Sequence, residues 1–245
     1  MRGAALRKTI IVLIWLVLWQ VASLLVHNNI LLAGPVEAIK ALIRLGVTAD
    51  FWLSVLYTLL KITLGFLIGV ITGIIFAFLS YRFRLFRDIV TPPITVIKSI
   101  PVASFVILVI IWAGASSLSS VISTLVVFPM IYFNVLSGLD STDSKLIELG
   151  TLFKFRLKDK LSHIFLPSVA PHLRSAIAVC SGMAFKSGIA AEVIGRPLHA
   201  IGTGVYLSKI SLATDELFAW TFCAVVLAYL FEKLVSLVLR RLLPS

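Results

Sequence analysis

The chain has 245 residues, of which 60% are hydrophobic and only 13% charged, with a mean hydropathy of +1.07. A soluble domain carries nearly twice that share of charge, so these figures exclude a water-soluble globular protein and make the bilayer the solvent for most of the chain. The formal charge of +11 would suit nucleic acid in a soluble protein, but in a membrane protein it reflects Lys and Arg crowded on cytoplasmic loops, so no nucleic-acid partner is expected.

A bilayer span takes about 20 apolar residues. The first expected span covers residues 9–26. Arg2, Arg7 and Lys8 ahead of it resemble the start of a signal peptide, but the apolar run is too long and shows no small-x-small cleavage site, so it reads as a retained anchor. The second covers residues 51–81, long enough to tilt or to project from the membrane. It carries Gly65, Gly69, Gly73 and Ala77, a small residue at every fourth position. Such a ladder lets another helix approach closely in lipid, in the same chain or in a second copy. The third span covers residues 94–114 and includes Pro101 and Ser104; the fourth covers 118–139 and includes Pro129. Both prolines mark places where a helix bends. The fifth covers residues 168–194 and the sixth 217–239. The expected fold is therefore all-α and polytopic, with six transmembrane helices and both ends on one side. Residues 1–50 form an N-terminal helix and external loop, and residues 51–241 a core with a cytoplasmic loop at about 140–167.

Basic residues orient the bundle. With the N-terminus inside, the inner side holds Arg2, Arg7, Lys8, Arg82, Arg84, Arg87, Lys145, Lys154, Arg156, Lys158, Lys160, Lys233, Arg240 and Arg241, which is fourteen of the 22. The outer side holds four: Lys40, Arg44, Arg196 and Lys209. Lys61, Lys98, Arg174 and Lys186 fall within spans or at their edges. This is a positive-inside bias, and it places both termini and the loop after the fourth span in the cytoplasm. Cys180 and Cys223 lie in apolar runs without metal-ligand spacing and read as small buried hydrophobes, so no metal site is expected.

Lys186 on the fifth span is costly in lipid and must face protein or water. It reads either as part of a pathway that tolerates anions, with Met183 and Ser187 beside it, or as a lysine paired with a helix-end carbonyl or with Glu192. Arg174 reads as snorkelling to the cytoplasmic edge, and Lys61 as interfacial or paired. Gly202 and Gly204 fall in an external loop, at a docking point or an ordinary turn. All eleven acidic residues read as lying in loops or near helix ends, and no internal repeat is visible. Both observations weigh against a stand-alone secondary transporter or channel, the alternative reading. Lys186 and the proline-bearing helices weigh against a pore-less anchor or scaffold.

The stretch "IELGTLFKFRLKDKLSHIFLP" (147–167) is the most charged in the chain, yet it keeps apolar residues at helical spacing: Leu146, Leu149, Leu152 and Phe153, then Phe155, Leu157, Leu161, Ile164 and Phe165. A loop that is merely solvated has no use for them, so short helices packed on something are expected. The spacing of Glu148, Ile164, Leu166 and Pro167 resembles the E-A-A-x3-G-x9-I-x-L-P loop signature of binding-protein-dependent ABC transporter permeases. The flanks extend the resemblance. "SIPVASFVILVIIWAG" (99–114) is similar to the family's third helix. "MAFKSGIAAEVIG" (183–195) and "ELFAWTFCAVVLAYLFEKLVSLVLRR" (216–241) resemble helices of its nitrate/sulfonate/taurine branch. Leu149 and Gly150 stand at the two family Ala positions, and Lys154 at the family Gly. That Gly turns the chain between two short helices, and Lys with positive φ there costs on the order of 1 kcal/mol. Either Gly150 makes the turn or the helix continues through Lys154.

The resemblance implies a type I ABC importer permease fold in a bacterial inner membrane. It implies a coupling loop that seats in a groove on a separate ATPase subunit. Leu152, Phe153 and Phe155 would form its apolar ridge, and Glu148, Lys154, Arg156 and Lys158 its charged rim, with Leu149, Gly150 and Pro167 completing the motif. It also implies a second permease copy and an external substrate-binding protein; Met183, Lys186, Ser187, Pro101 and Ser104 are the candidate pathway residues. ATP and Mg belong to the partner ATPase, and no cofactor is expected on this chain. No G-x-x-x-x-G-K-[ST] phosphate loop occurs; "GLDSTDSK" (138–145) lacks the second Gly.

Overall fold

The computed structural model describes residues 2–28 and 30–242. The side chains of Arg2, Lys8 and Leu157, counted above among the basic and apolar residues, lie outside the described ones. Among the described residues every regular element is a helix. In lipid the backbone N–H and C=O groups must be satisfied internally, and over a run of about 20 apolar residues an α-helix does this within the segment itself. Helix α1 spans Arg2–Val26, α2 Pro35–Gly46, α3 Ala49–Arg82, α4 Arg84–Ser99, α5 Val102–Ala113 and α6 Leu118–Asp140. They are followed by α7 Ser144–Leu152, α8 Leu157–Lys160, α9 Leu166–Gly195, α10 Ile201–Ile210 and α11 Thr214–Leu242. Among the described residues five helices are long and apolar enough to cross a bilayer, and the pair α4 and α5 makes a sixth span when counted together.

That pair corrects the expected third span. Residues 94–114 are not one helix: α4 starts ten residues earlier, at Arg84, and its axis meets α5 at 106°. Proline disfavours the α conformation in the residue before it. Ile100 accordingly turns extended, Pro101 becomes the N-cap of α5, and Gly114 ends α5 with φ +73°. Pro101 therefore breaks the span outright, whereas Pro129 is carried inside a single α6.

Helix α6 is the centre of the bundle, packed between α3 and α9. Gly65, Gly69 and Gly73 are buried on the α3 face that meets it. A Cβ at Gly65 would strike the Ser120 carbonyl oxygen, and at Gly69 and Gly73 it would lie 2.8 Å from the Cβ atoms of Val127 and Ile131. Ala77 is fully buried in the same core. Close backbones let hydroxyls bridge the helices. Ser120 Oγ donates to the Lys61 carbonyl at 2.8 Å, and Thr124 Oγ1 to the Gly65 carbonyl at 3.0 Å. The partner of the small-residue ladder is thus a helix of the same chain.

Helix α4 is tied to the core at one end. Arg87 forms a two-armed ion pair with Asp140 at the end of α6, at 3.2 and 2.8 Å. The Tyr132 hydroxyl bridges Ser80 and Thr91 at 3.0 and 2.9 Å. At the opposite end of the bundle Arg44 of α2 binds Asp215 and Glu216 at 3.2 and 2.8 Å. Those two acids also sit in the first turn of α11, where the helix dipole favours them. The segment expected as an open external loop holds α10. In it Gly202 abuts the Cβ of Glu192 and Gly204 the indole of Trp220, so these glycines permit packing and do not form a turn. Residues 9–26 of helix α1 are almost wholly exposed, held by Trp19 against Phe218 (ring centres 5.0 Å apart) and by the Ser23 hydroxyl on the Leu32 carbonyl at 2.8 Å.

Candidate functional site

Two regions gather the residues singled out in the sequence. The first is the helical hairpin of α7 and α8. Asp143 caps α7, its carboxylate accepting from the Lys145 amide at 2.9 Å. The helix ends in a left-handed residue, and that residue is Lys154 itself, at φ +51°. The Phe155 amide reaches back to the Gly150 carbonyl at 2.9 Å and the Lys154 amide to the Thr151 carbonyl at 3.1 Å. These are the two bonds of a Schellman closure. Both sequence alternatives for the turn are therefore corrected. Gly150 does not make it and the helix does not continue; the turn stays where the family places it, with Lys in the strained position.

Gly150 has a different use. It is buried, and a Cβ there would lie 2.7 Å from Ile164 Cδ1, so the missing side chain lets α7 fold down onto residues 161–165. Lys160 Nζ ties the hairpin by donating to Thr151 Oγ1 at 3.1 Å. The residues Leu161–Phe165 form a π turn that runs into α9. Pro167 in the first turn of α9 has no N–H to give to the preceding turn, and the Ser168 hydroxyl bonds the Ile164 carbonyl at 3.0 Å.

The apolar residues of the stretch divide into two sets. Ile164 is buried and Phe165 packs edge-on to Tyr81, with ring centres 5.5 Å apart. Leu149, Leu152, Phe153 and Phe155 point out, with Leu152 77% and Phe153 67% exposed. Glu148, Arg156 and Lys158 are exposed around them. The hairpin thus presents an apolar ridge with a charged border on the outside of the bundle.

The second region is the face formed by α9, α6 and the α4–α5 elbow. Met183 and Lys186 are exposed on α9, and the Ser187 hydroxyl bonds its own helix at the Met183 carbonyl, 2.6 Å away. Ser104 is exposed on the first turn of α5. A cavity of about 260 Å³ opens at the elbow, bringing Met183 together with Lys98, Val102, Phe105, Ile122 and Met130. Lys186, Ser187, Pro101 and Ser104 are not among its lining residues.

Lys186 has no ion pair among the described residues, and Glu192 is committed elsewhere. Glu192 is fully buried at the end of α9. Its Oε2 accepts from Thr58 Oγ1 at 2.9 Å and the Gly202 amide at 3.1 Å, and its Oε1 from Ser119 Oγ at 2.8 Å. The placement of all acidic residues in loops or near helix ends needs correction at Glu232, which lies well inside α11; Glu192 does lie near a helix end, but there it is enclosed by α3, α6 and α10. Lys61 stands 5.6 Å from the Tyr57 ring centre. Arg174 is half-buried, its Nε enclosed and unpartnered among the described residues. Sequence reasoning gave Lys98 no role and weighed Glu192 only as a partner for Lys186. The signal for Glu192 was a carboxylate inside an apolar helix ten residues before Gly202.

The profile of the family described as "Binding-protein-dependent transport system inner membrane component" matches residues 65–245. Among curated proteins the chain is similar to a putative aliphatic sulfonates transport permease protein of Bacillus subtilis (strain 168), 25% identical across 99% of this chain and 87% of that one. It is also similar to a taurine transport system permease protein of Escherichia coli (strain K12), 23% identical across 92% and 84%. A nitrate import permease protein of Synechococcus elongatus is 23% identical across 84% and 85%.

Proposed function

Because this chain belongs to the family of binding-protein-dependent transport system inner membrane components and is a permease subunit of an ABC importer, we propose that it forms the translocation pathway for a small anionic solute handed over by an external binding protein. The observation that carries this reading is the ridge of Leu152, Phe153 and Phe155, held outside the bundle on a capped hairpin. Exposed aromatic residues ringed by charge are the anatomy of a protein interface. The partner is an ATPase subunit that binds ATP and Mg, while this chain binds no cofactor and hydrolyses nothing. Closure of two ATPases would carry the hairpin, and α9 follows it without a break through the π turn, so movement reaches Met183, Lys186 and Ser187. The exposed faces of α5 and α9 suit a second copy of the chain across the pathway. The names of the similar proteins, for sulfonates, taurine and nitrate, support an anionic cargo.

Reconstitution with its ATPase and binding protein tests the assignment. ATP inside liposomes is expected to drive uptake, and a proton or sodium gradient alone is not. Uptake on a gradient without ATP would favour the secondary transporter.

The protein sits in the bacterial inner membrane with both termini and residues 139–166 in the cytoplasm. The positive-inside distribution supports this orientation. With cysteine placed at positions 158 and 198, a membrane-impermeant thiol reagent added to intact cells should label 198 and spare 158. The reverse pattern would invert the topology and remove the hairpin from any cytoplasmic ATPase.

A further inference from the structure

The cavity at the α4–α5 elbow reaches the level of Met130 and Met183, near the middles of the two spans α6 and α9. Its walls are apolar: Val102 and Phe105 from α5, Ile122 and Met130 from α6, and Met183 from α9. Of the side chains that line it, only Lys98 is charged. The Lys98 ammonium stands 5.2 Å from the centre of the Phe133 ring, and no carboxylate pairs with it among the described residues. A ring face holds a cation in place but does not neutralise it. An ammonium at this depth is costly unless it meets water or a counter-anion. Lys186 stands one turn beyond Met183 on α9 and is likewise without an ion pair among the described residues. The nearby carboxylate of Glu232 is beside Gly182, on the side of α9 that packs Phe185 against Phe231 of α11, away from the cavity. Arg87 and Asp140 satisfy each other at the far end of α4.

We propose that this cavity is a transient binding site for a small monoanion in transit, and that Lys98 is the residue that selects for negative charge. The inference rests on the pathway reading above, which already takes the cargo as anionic; it adds the place in the bundle where the charge is read and the side chain that reads it. A volume of about 260 Å³ admits a small anion with part of its water, one water occupying about 30 Å³ in the liquid. One ammonium among apolar walls gives weak binding, which a transit site requires: strong enough to admit an anion, weak enough to release it.

The test uses the full chain in its assembled complex in nanodiscs, with Cys180→Ala and Cys223→Ala to remove the native thiols and Met183→Cys as reporter. Two methanethiosulfonate probes are compared, one carrying an ethylsulfonate and one an ethyltrimethylammonium, and their reaction rates are followed by mass spectrometry. With Lys98 present the anionic probe is expected to be favoured. Lys98→Gln should lower the anionic-to-cationic rate ratio roughly tenfold, the scale for one poorly screened charge acting on probes of opposite sign, and Lys98→Arg should retain it. A reactive thiol whose ratio is the same with Lys98→Gln would overturn the role of Lys98 and leave the pathway reading standing. A thiol that reacts with neither probe, at rest or with ATP trapped, would overturn both.

Discussion

Phe153→Ala is expected to abolish ATP-driven uptake while the chain still inserts and folds. Phe153 is 67% exposed and its ring touches little of its own chain beyond Phe155, whose ring centre lies 6.5 Å away. Truncation therefore removes almost no packing from the bundle. At the centre of an interface the same truncation typically costs about 2 kcal/mol, roughly thirtyfold in affinity. Glu148→Ala should act in the same direction from the ridge border. Lys154→Gly separates this effect from damage to the hairpin. Lys154 holds a left-handed conformation that glycine adopts freely, so the change should relieve about 1 kcal/mol of strain and leave coupling intact. The readouts are co-purification with the ATPase and ATP hydrolysis stimulated by the binding protein in nanodiscs. Undiminished co-purification and stimulation with Glu148→Ala and Phe153→Ala combined would remove the hairpin from the mechanism.

The spans were readable from sequence because lipid admits only helices and closed barrels, and a continuous run of about 20 apolar residues selects the helix. The boundaries of α3, α6, α9 and α11 fall within a few residues of the apolar runs for this reason. The elbow was not readable in the same way. Three prolines lie close together: Pro92 and Pro93 are tolerated inside α4, while Pro101 ends it. Composition does not distinguish them, because the outcome depends on what packs on either side. Helices α2 and α10 were hidden in segments too short and too polar to register as spans. Their ends are fixed by Pro35 in a first turn and by a carboxylate supplied from α9. Lys154 shows local preference overruled. The residue is a poor choice for positive φ, but the Schellman bonds and the seating of Gly150 on Ile164 keep the turn where it is. Lys98 passed unranked because its significance is a matter of what surrounds it: Phe133 comes from a helix more than thirty residues on, and the cavity exists only once the elbow has formed.

Glu192→Ala is expected to be the most destabilising single change among the polar residues of the bundle. The carboxylate gathers Thr58 from α3, Ser119 from α6 and the Gly202 amide from α10, and Thr58 Oγ1 in turn accepts from the Ile201 amide at 3.0 Å. Ile201 and Gly202 are the first residues of α10, so Glu192 and Thr58 together cap a helix whose N-cap residue, Ala200, has no side-chain acceptor. Removing the carboxylate leaves two hydroxyls and one amide buried without their acceptor, at about 1–3 kcal/mol each, a loss comparable to the stability of many domains. Glu192→Gln keeps one acceptor oxygen, and hydroxyls can rotate to accept from the new amide, so it should cost far less. Thr58→Val removes the link between the carboxylate and the Ile201 amide and should fall between them. Amide hydrogen exchange supplies the readout. In Glu192→Ala, residues 201–204 should lose protection before the core of α3 and α6 does, because α10 loses its cap while the Gly65–Gly73 contact with α6 stays closed. Unchanged protection of those amides in Glu192→Ala would show that α10 is held by Trp220 and its other apolar contacts alone, and that the buried carboxylate is not its anchor.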